Sequence, residues 1–149
     1  MKAASLLDVN VLVALFDPDH VHHELAHDWF AGHGRHAWAT CPITENGFLR
    51  VLTNPAYGAT VGRVSDLAER FSRFRASEGH VFWEDSLSLL DAGTFDWTAG
   101  IGHRQLTDIY LLALARARGG RLVTFDRSIP LRAVQGATSR HLVVVAAAD

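Results

Sequence analysis

Ala3-Ala4-Ser5-Leu6-Leu7-Asp8-Val9-Asn10-Val11-Leu12-Val13-Ala14-Leu15-Phe16 is the stretch that decides the fold. Ala3 to Leu7 has the length and apolar character of a strand covered on both faces. Val9 to Phe16 reads as a helix, ended by Asp17-Pro18. Asp8 stands where the strand hands over to the helix. In open parallel sheets, sites form outside the carboxyl ends of the strands. The residues that predict an α/β fold therefore also put an acid where chemistry takes place.

The same alternation continues along the chain. Val21 to Ala31 predicts a second helix, stopped by Gly32 and Gly34, and Ala37 to Thr40 a second strand. Pro42 suits the first turn of a third helix that ends near Asn54-Pro55. Tyr57 to Gly62 reads as a loop. Val64, Leu67, Ala68, Phe71 and Phe74 repeat at helical spacing. His80 to Trp83 predicts a third strand, Ser86 to Asp91 a short helix, and Gly93 to Arg104 an irregular segment. Leu106 to Ala117 is the strongest helical pattern, ended by Gly119-Gly120. Leu122 to Phe125 and His141 to Val145 complete five strands. Strands alternating with helices argue for βαβ units and a parallel sheet with helices on both faces. No linker or repeat divides residues 1–149, so one domain is expected.

Composition is that of an ordinary globular protein, with 48% hydrophobic and 20% charged residues. No apolar run approaches a membrane span, so no membrane partner is expected. Lys2 and the apolar residues after it resemble a signal peptide. Asp8 and Asn10 interrupt the apolar segment, and no small-residue cleavage site follows. With Cys41 alone no intrachain disulfide forms, and a cytoplasmic location is expected. The net charge of −2 neither announces nor excludes a nucleic-acid ligand. Lys2 is the only lysine, which weighs against Walker-type nucleotide sites and against phosphoryl-transfer families that use a late lysine.

Four acids fall at strand ends or helix starts. Asp8 follows the first strand and Asp126 the fourth. Glu45 lies in the first turns of the third helix, and Asp108 opens the strongest helix, with Thr107 expected as N-cap. Singly, each could serve a helix dipole or cap a turn. Together they bring charge beside apolar strand ends, where unpaired burial is costly. A shared hard cation, Mg²⁺ or Mn²⁺, would remove that cost, since carboxylate and water oxygens are its favoured ligands. All four are expected to converge on one edge of the sheet.

Leu6-Leu7-Asp8-Val9-Asn10-Val11-Leu12, Pro42-Ile43-Thr44-Glu45-Asn46-Gly47-Phe48-Leu49-Arg50, Leu106-Thr107-Asp108 with Leu111 to Ala115, and Gly120-Arg121-Leu122-Val123-Thr124-Phe125-Asp126 occur in this order. In that order they resemble the PIN-domain ribonucleases, specifically the VapC toxins of bacterial toxin–antitoxin pairs. The resemblance spans nearly the whole chain. It implies a three-layer α/β/α sandwich with a mostly parallel sheet. It implies Mg²⁺-dependent endonucleolytic cleavage of RNA, restraint by a VapB-like antitoxin, and a homodimer. Asp8 and Asp108 match the acids that bind metal most directly; Glu45 and Asp126 match those that complete the metal and water environment. Asn10 and Thr124 match polar pocket positions. Arg50, Arg104 and Arg127 lie near these motifs and are candidates for RNA phosphate contacts.

The sharpest rival is His23-Glu24-Leu25-Ala26-His27, a literal HExxH pattern. On a helix His23 and His27 share a face and suit Zn²⁺, with Glu24 as base, in a zinc-dependent metallohydrolase. Its context is poor. Asp28 follows directly, and no spacing identifies a third ligand. The plainer reading is an amphipathic helix burying Leu25, Ala26, Trp29 and Phe30. Cys41, beside Pro42, reads as a small buried cap. Trp29, Trp38, Trp83 and Trp97 read mostly as core or interface residues. A non-catalytic protein-binding module of the same fold is the remaining alternative.

Overall fold

The computed structural model describes residues 3–58 and 62–147. The expected loop over Tyr57 to Gly62 thus lies partly outside the described residues. Its start, Pro55–Tyr57, is one 3₁₀ turn, with Asn54 accepting from the Ala56 N–H at 3.0 Å.

Five parallel strands form one sheet: β1 (Ser5–Leu7), β2 (Trp38–Thr40), β3 (His80–Phe82), β4 (Arg121–Thr124) and β5 (Leu142–Val144), in the order β3-β2-β1-β4-β5. Consecutive residues of a strand point to opposite faces, and the apolar pairs use both. Leu6 and Leu122 pack under helix α5 (Leu106–Ala117). Leu7, Trp38 and Val123 pack on the other face. That face is covered by α1 (Val9–Phe16), α2 (His23–Trp29), α3 (Pro42–Thr53) and α4 (Val64–Arg75). This is why β1, β2 and β4 read as mostly apolar: both of their faces are covered, whereas Val81 and Phe82 on the edge strand β3 remain exposed.

Local chemistry sets the helix ends. Asp8 caps α1, its Oδ1 accepting from the Val9 N–H at 2.8 Å. Cys41 precedes α3, where Pro42 needs no N–H partner and the Thr44 hydroxyl accepts from the Cys41 N–H at 3.0 Å. Burial raises the Cys41 thiol to about 11, so it is an inert filler. Gly119, at φ +71°, closes α5, and the Gly120 N–H returns to the Ala115 carbonyl at 2.8 Å.

Some expectations need correction. Ser86 to Asp91 forms no helix; its backbone is turn and extended. Ser86, Ser88 and Asp91 compete for backbone hydrogen bonds there, and the Ser88 hydroxyl accepts from the Leu90 N–H. Gly93 to Arg104 holds two 3₁₀ turns, Trp97–Ala99 and His103–Gln105. The second runs straight into α5, so Gln105 rather than Thr107 occupies the N-cap. The second helix begins at His23, not Val21, and ends as a π-helical turn over Phe30–Gly34. Among the described residues no helix is long and apolar enough to cross a membrane.

Candidate active site

The chain leaves β1 toward β2 and β3 on one side and reaches β4 and β5 on the other. The reversal of strand order therefore falls between β1 and β4. The crevice outside their carboxyl ends is the place where such sheets bind ligands. Asp8 follows β1 and Asp126 follows β4. Asp108 sits in the first turn of α5, above the other face of the sheet.

Asp8 is 6% exposed. Its Oδ2 accepts from the Thr124 hydroxyl at 2.7 Å. Thr124, wholly buried, also accepts from Asn10 Nδ2 at 3.3 Å and from the Asp126 N–H at 3.0 Å. One hydroxyl thus ties together the ends of β1 and β4. Asp126 is itself oriented by Ser128, whose N–H and hydroxyl both donate to Oδ1, at 2.8 and 2.7 Å. Asp8, Asn10, His20, Tyr57, Asp108 and Asp126 line a cleft of about 360 Å³.

The electrostatics are those of carboxylates lacking a counter-charge. Burial raises the Asp8 carboxyl, the hydrogen bonds from Thr124 and Val9 pull it back, and the Asp126 charge raises it. Asp108 is pushed to about 7 by burial first, then by the charges of Asp8 and Asp126. No three His, Cys, Asp or Glu side chains among the described residues close into a preformed metal cage. The three aspartates form an open all-oxygen cluster, and that donor set fits a hard divalent cation that keeps several of its waters.

Glu45 departs from the expected convergence. Its Oε2 accepts from Arg75 at 2.7 Å and from the Thr40 hydroxyl at 2.7 Å, and it does not line the cleft of the three aspartates. The Thr40 hydroxyl also meets His80 Nε2 at 2.8 Å. The reason is local: Arg75, at the end of α4, offers a full counter-charge, whereas the cluster offers only like charges. Nothing in the spacing of Arg75 signals this pairing. His20 and Tyr57 were also missed as cleft residues. Tyr57 is anchored by its hydroxyl, which donates to Asp17 at 2.6 Å across forty residues of sequence. Burial and the neighbouring His22 lower the pKa of His20, favouring its neutral ring.

Of the three arginines, Arg50 lines an adjoining cleft of about 400 Å³ with Val9 and Thr107. Arg104 is exposed in the turn before α5, and Arg127 is exposed immediately after Asp126.

The HExxH histidines have a structural role. His23 Nδ1 lies 2.7 Å from the Ala14 carbonyl and His27 Nε2 lies 2.9 Å from that of Leu15, with the two rings 4.4 Å apart. A carbonyl only accepts, so each of these nitrogens carries its proton. They satisfy carbonyls of the last turn of α1, which have no partner within the helix. His27→Ala leaves the Leu15 carbonyl without this partner and is expected to lower stability by about 1 kcal/mol, read by chemical denaturation.

The fold and the site together define the class. Residues 5–135 match the family model of the PIN domain, and the chain belongs to the PIN-domain family. Within it, the relatives are VapC ribonucleases. The chain is 46% identical over 141 residues to Ribonuclease VapC44 of Mycobacterium tuberculosis, covering 95% of this chain and 99% of that protein. It is 46% identical over 125 residues to Ribonuclease VapC38 of the same organism, covering 84% and 86%. The crystal structure of M. tuberculosis VapC20, described as a sarcin–ricin loop cleaving toxin, superposes with a TM-score of 0.58 over 85% of this chain and 92% of that one. At 16% identity, that match bears on the fold alone.

Proposed function

We propose that this chain is a metal-dependent endoribonuclease, the toxin of a VapBC-type pair, working in the cytoplasm. The observation that carries the reading is the meeting of Asp8, Asp108 and Asp126 at the switch point of the sheet, in one cleft. The similarity to VapC ribonucleases over nearly the full chain supports the same activity and an RNA substrate. It also supports a VapB-type antitoxin as partner. A homodimer is part of the proposal, to be read by sedimentation.

Asp8 and Asp108 would hold the principal Mg²⁺ or Mn²⁺, with Asp126 beside them. When bound, the cation supplies Lewis-acid stabilisation of phosphate charge and a more acidic water. The protein's own groups do the positioning. Thr124 and the Val9 N–H fix both oxygens of Asp8, leaving it no freedom to rotate. Ser128 holds Asp126 Oδ1, so the Asp126 carboxylate stays turned and ready to orient water. Asn10 holds Thr124. Glu45, its charge balanced by Arg75, would act outside this cluster, through water. Arg50, Arg104 and Arg127 would meet RNA phosphates. The reaction is hydrolysis: water attacks phosphorus in line, the bond from phosphorus to the 3′ oxygen breaks, and 5′-phosphate and 3′-hydroxyl ends remain.

Incubation with RNA in Mg²⁺ or Mn²⁺ should give internal cuts with those ends, and none in chelator. Equal cleavage in chelator would refute metal dependence. No cleavage of any RNA with metal present would leave the protein-binding module as the better reading.

A further inference from the structure

Three aromatic rings gather beside the aspartate cleft and are not used by the reading above. His20 stacks near Phe125, with centroids 6.4 Å apart and planes 22° apart. His22 approaches the same ring at 4.8 Å and 34°, and the two histidines are 5.8 Å apart. Phe125 directly precedes Asp126, so their Cα atoms are about 3.8 Å apart. His20 lines the cleft with the aspartates.

The turn that carries the histidines is fixed. The His20 N–H donates to the Asp17 carbonyl at 3.1 Å, and the His23 N–H to that of His20 at 3.0 Å. The His22 N–H donates to His20 Nδ1 at 3.0 Å. That nitrogen therefore accepts, and the neutral ring carries its proton on Nε2. His22 is exposed, and His20 and Phe125 are only half-buried. Phe125 rests partly on the core, whereas core packing does not account for the His22 ring left exposed or the His20 ring half-open at the mouth of the cleft.

The chain's net charge is −2, and the cleft floor is acidic. Phosphate attraction, the usual source of RNA affinity, is not supplied by this acidic floor itself and falls to a bound cation and to arginines outside it. Contact with base faces needs no net charge and is worth a substantial share of binding wherever bases are unpaired.

We propose that His20, His22 and Phe125 form a base-binding subsite, a stacking platform that seats one unpaired nucleobase and sets which phosphodiester reaches the aspartates. This rests on the ribonuclease reading. It adds a specificity-determining element built from the turn between α1 and α2 and the end of β4.

The probe is an RNA oligonucleotide with an unpaired stretch that carries 2-aminopurine, whose fluorescence falls on stacking. It is mixed with the protein in Mg²⁺ while cleavage is followed on gels. Wild type should quench the probe and cut it. The double variant His20→Ala/His22→Ala should lose the quench and raise KM roughly tenfold, with kcat changed about twofold or less. His22→Phe keeps a ring and should retain both quench and KM, which separates stacking from hydrogen bonding and from loss of fold. Cleavage by wild type with unchanged KM and quench in the double variant overturns the platform and leaves the ribonuclease reading standing. If His22→Phe behaves like the alanine variant, the platform is likewise overturned. Ring-dependent quenching without any cleavage supports the platform and rejects the ribonuclease reading. Neither quenching nor cleavage rejects both.

Discussion

Asp108→Asn is expected to cut RNA cleavage about a thousandfold while making the metal-free protein more stable. The two effects share one cause. Asp108 is half-buried and faces Asp8 and Asp126, so its charge is disfavoured in the empty site. Asparagine keeps the shape and removes a like charge, which should raise stability by about 1–2 kcal/mol after allowance for solvent screening. That corresponds to roughly 3–6 °C in melting temperature. For the reaction, the same carboxylate is a proposed direct ligand. Losing a ligand gives up several kcal/mol of charge stabilisation, and about 4 kcal/mol is a thousandfold in rate. Asp8→Asn should lose activity similarly, while asparagine still serves as a cap for α1. Melts in chelator beside cleavage rates in Mg²⁺ give both readouts. Near-wild-type turnover of Asp108→Asn would remove Asp108 from the site. A lower melting point would show that the aspartates do not repel one another as the structure implies.

Without divalent cations, the Asp108 contribution to stability should fall as pH rises from about 4 to about 7 and then level off, while His80, lowered to about 4 by burial, contributes in the opposite sense. The folded state holds the Asp108 proton up to about 7, whereas an unfolded aspartate releases it near 3.8. Between those values the native chain binds more protons than the unfolded one. This contribution is thus complete below the unfolded value and lost as pH passes the folded one. The raised carboxyl of Asp8 acts in the same direction. Millimolar Mg²⁺ should reverse the trend above neutrality, because a bound cation favours the ionised form. Melting curves across this range, with chelator and with Mg²⁺, decide the matter. The difference in stability between wild type and Asp108→Asn should carry the Asp108 slope. A wild-type minus Asp108→Asn stability difference that stays flat over that range would contradict the coupling of the three aspartates.

The two predictions explain why this site is costly to the fold. The native structure assembles repelling acids beyond the carboxyl ends of the paired strands β1 and β4, where the strand order reverses, and a bound cation would offset that repulsion. Such local cost at a functional site is a common trade against activity.

Much of this was legible from residues alone. Apolar runs of strand length between helical repeats announced the parallel sheet, because strands covered on both faces are mostly apolar, with polar residues such as Thr40 and Thr124 only where they find hydrogen-bond partners. Asp8 and Asp126 could be placed at strand ends by the same reading. Gly119-Gly120 and Pro42 marked helix ends through backbone geometry, which is a local property. What depends on neighbours in sequence was therefore readable in sequence. The partner of Glu45 was not, since Arg75 lies thirty residues away and reaches it only because α4 packs on α3. Nor were His20, Tyr57 and Phe125 beside the aspartates, or the duty of His23 and His27 at the end of α1. Charge–charge and ring–ring contacts fall off over a few ångströms, so only the tertiary structure could decide which acids share a cleft and which acid finds a cation of its own.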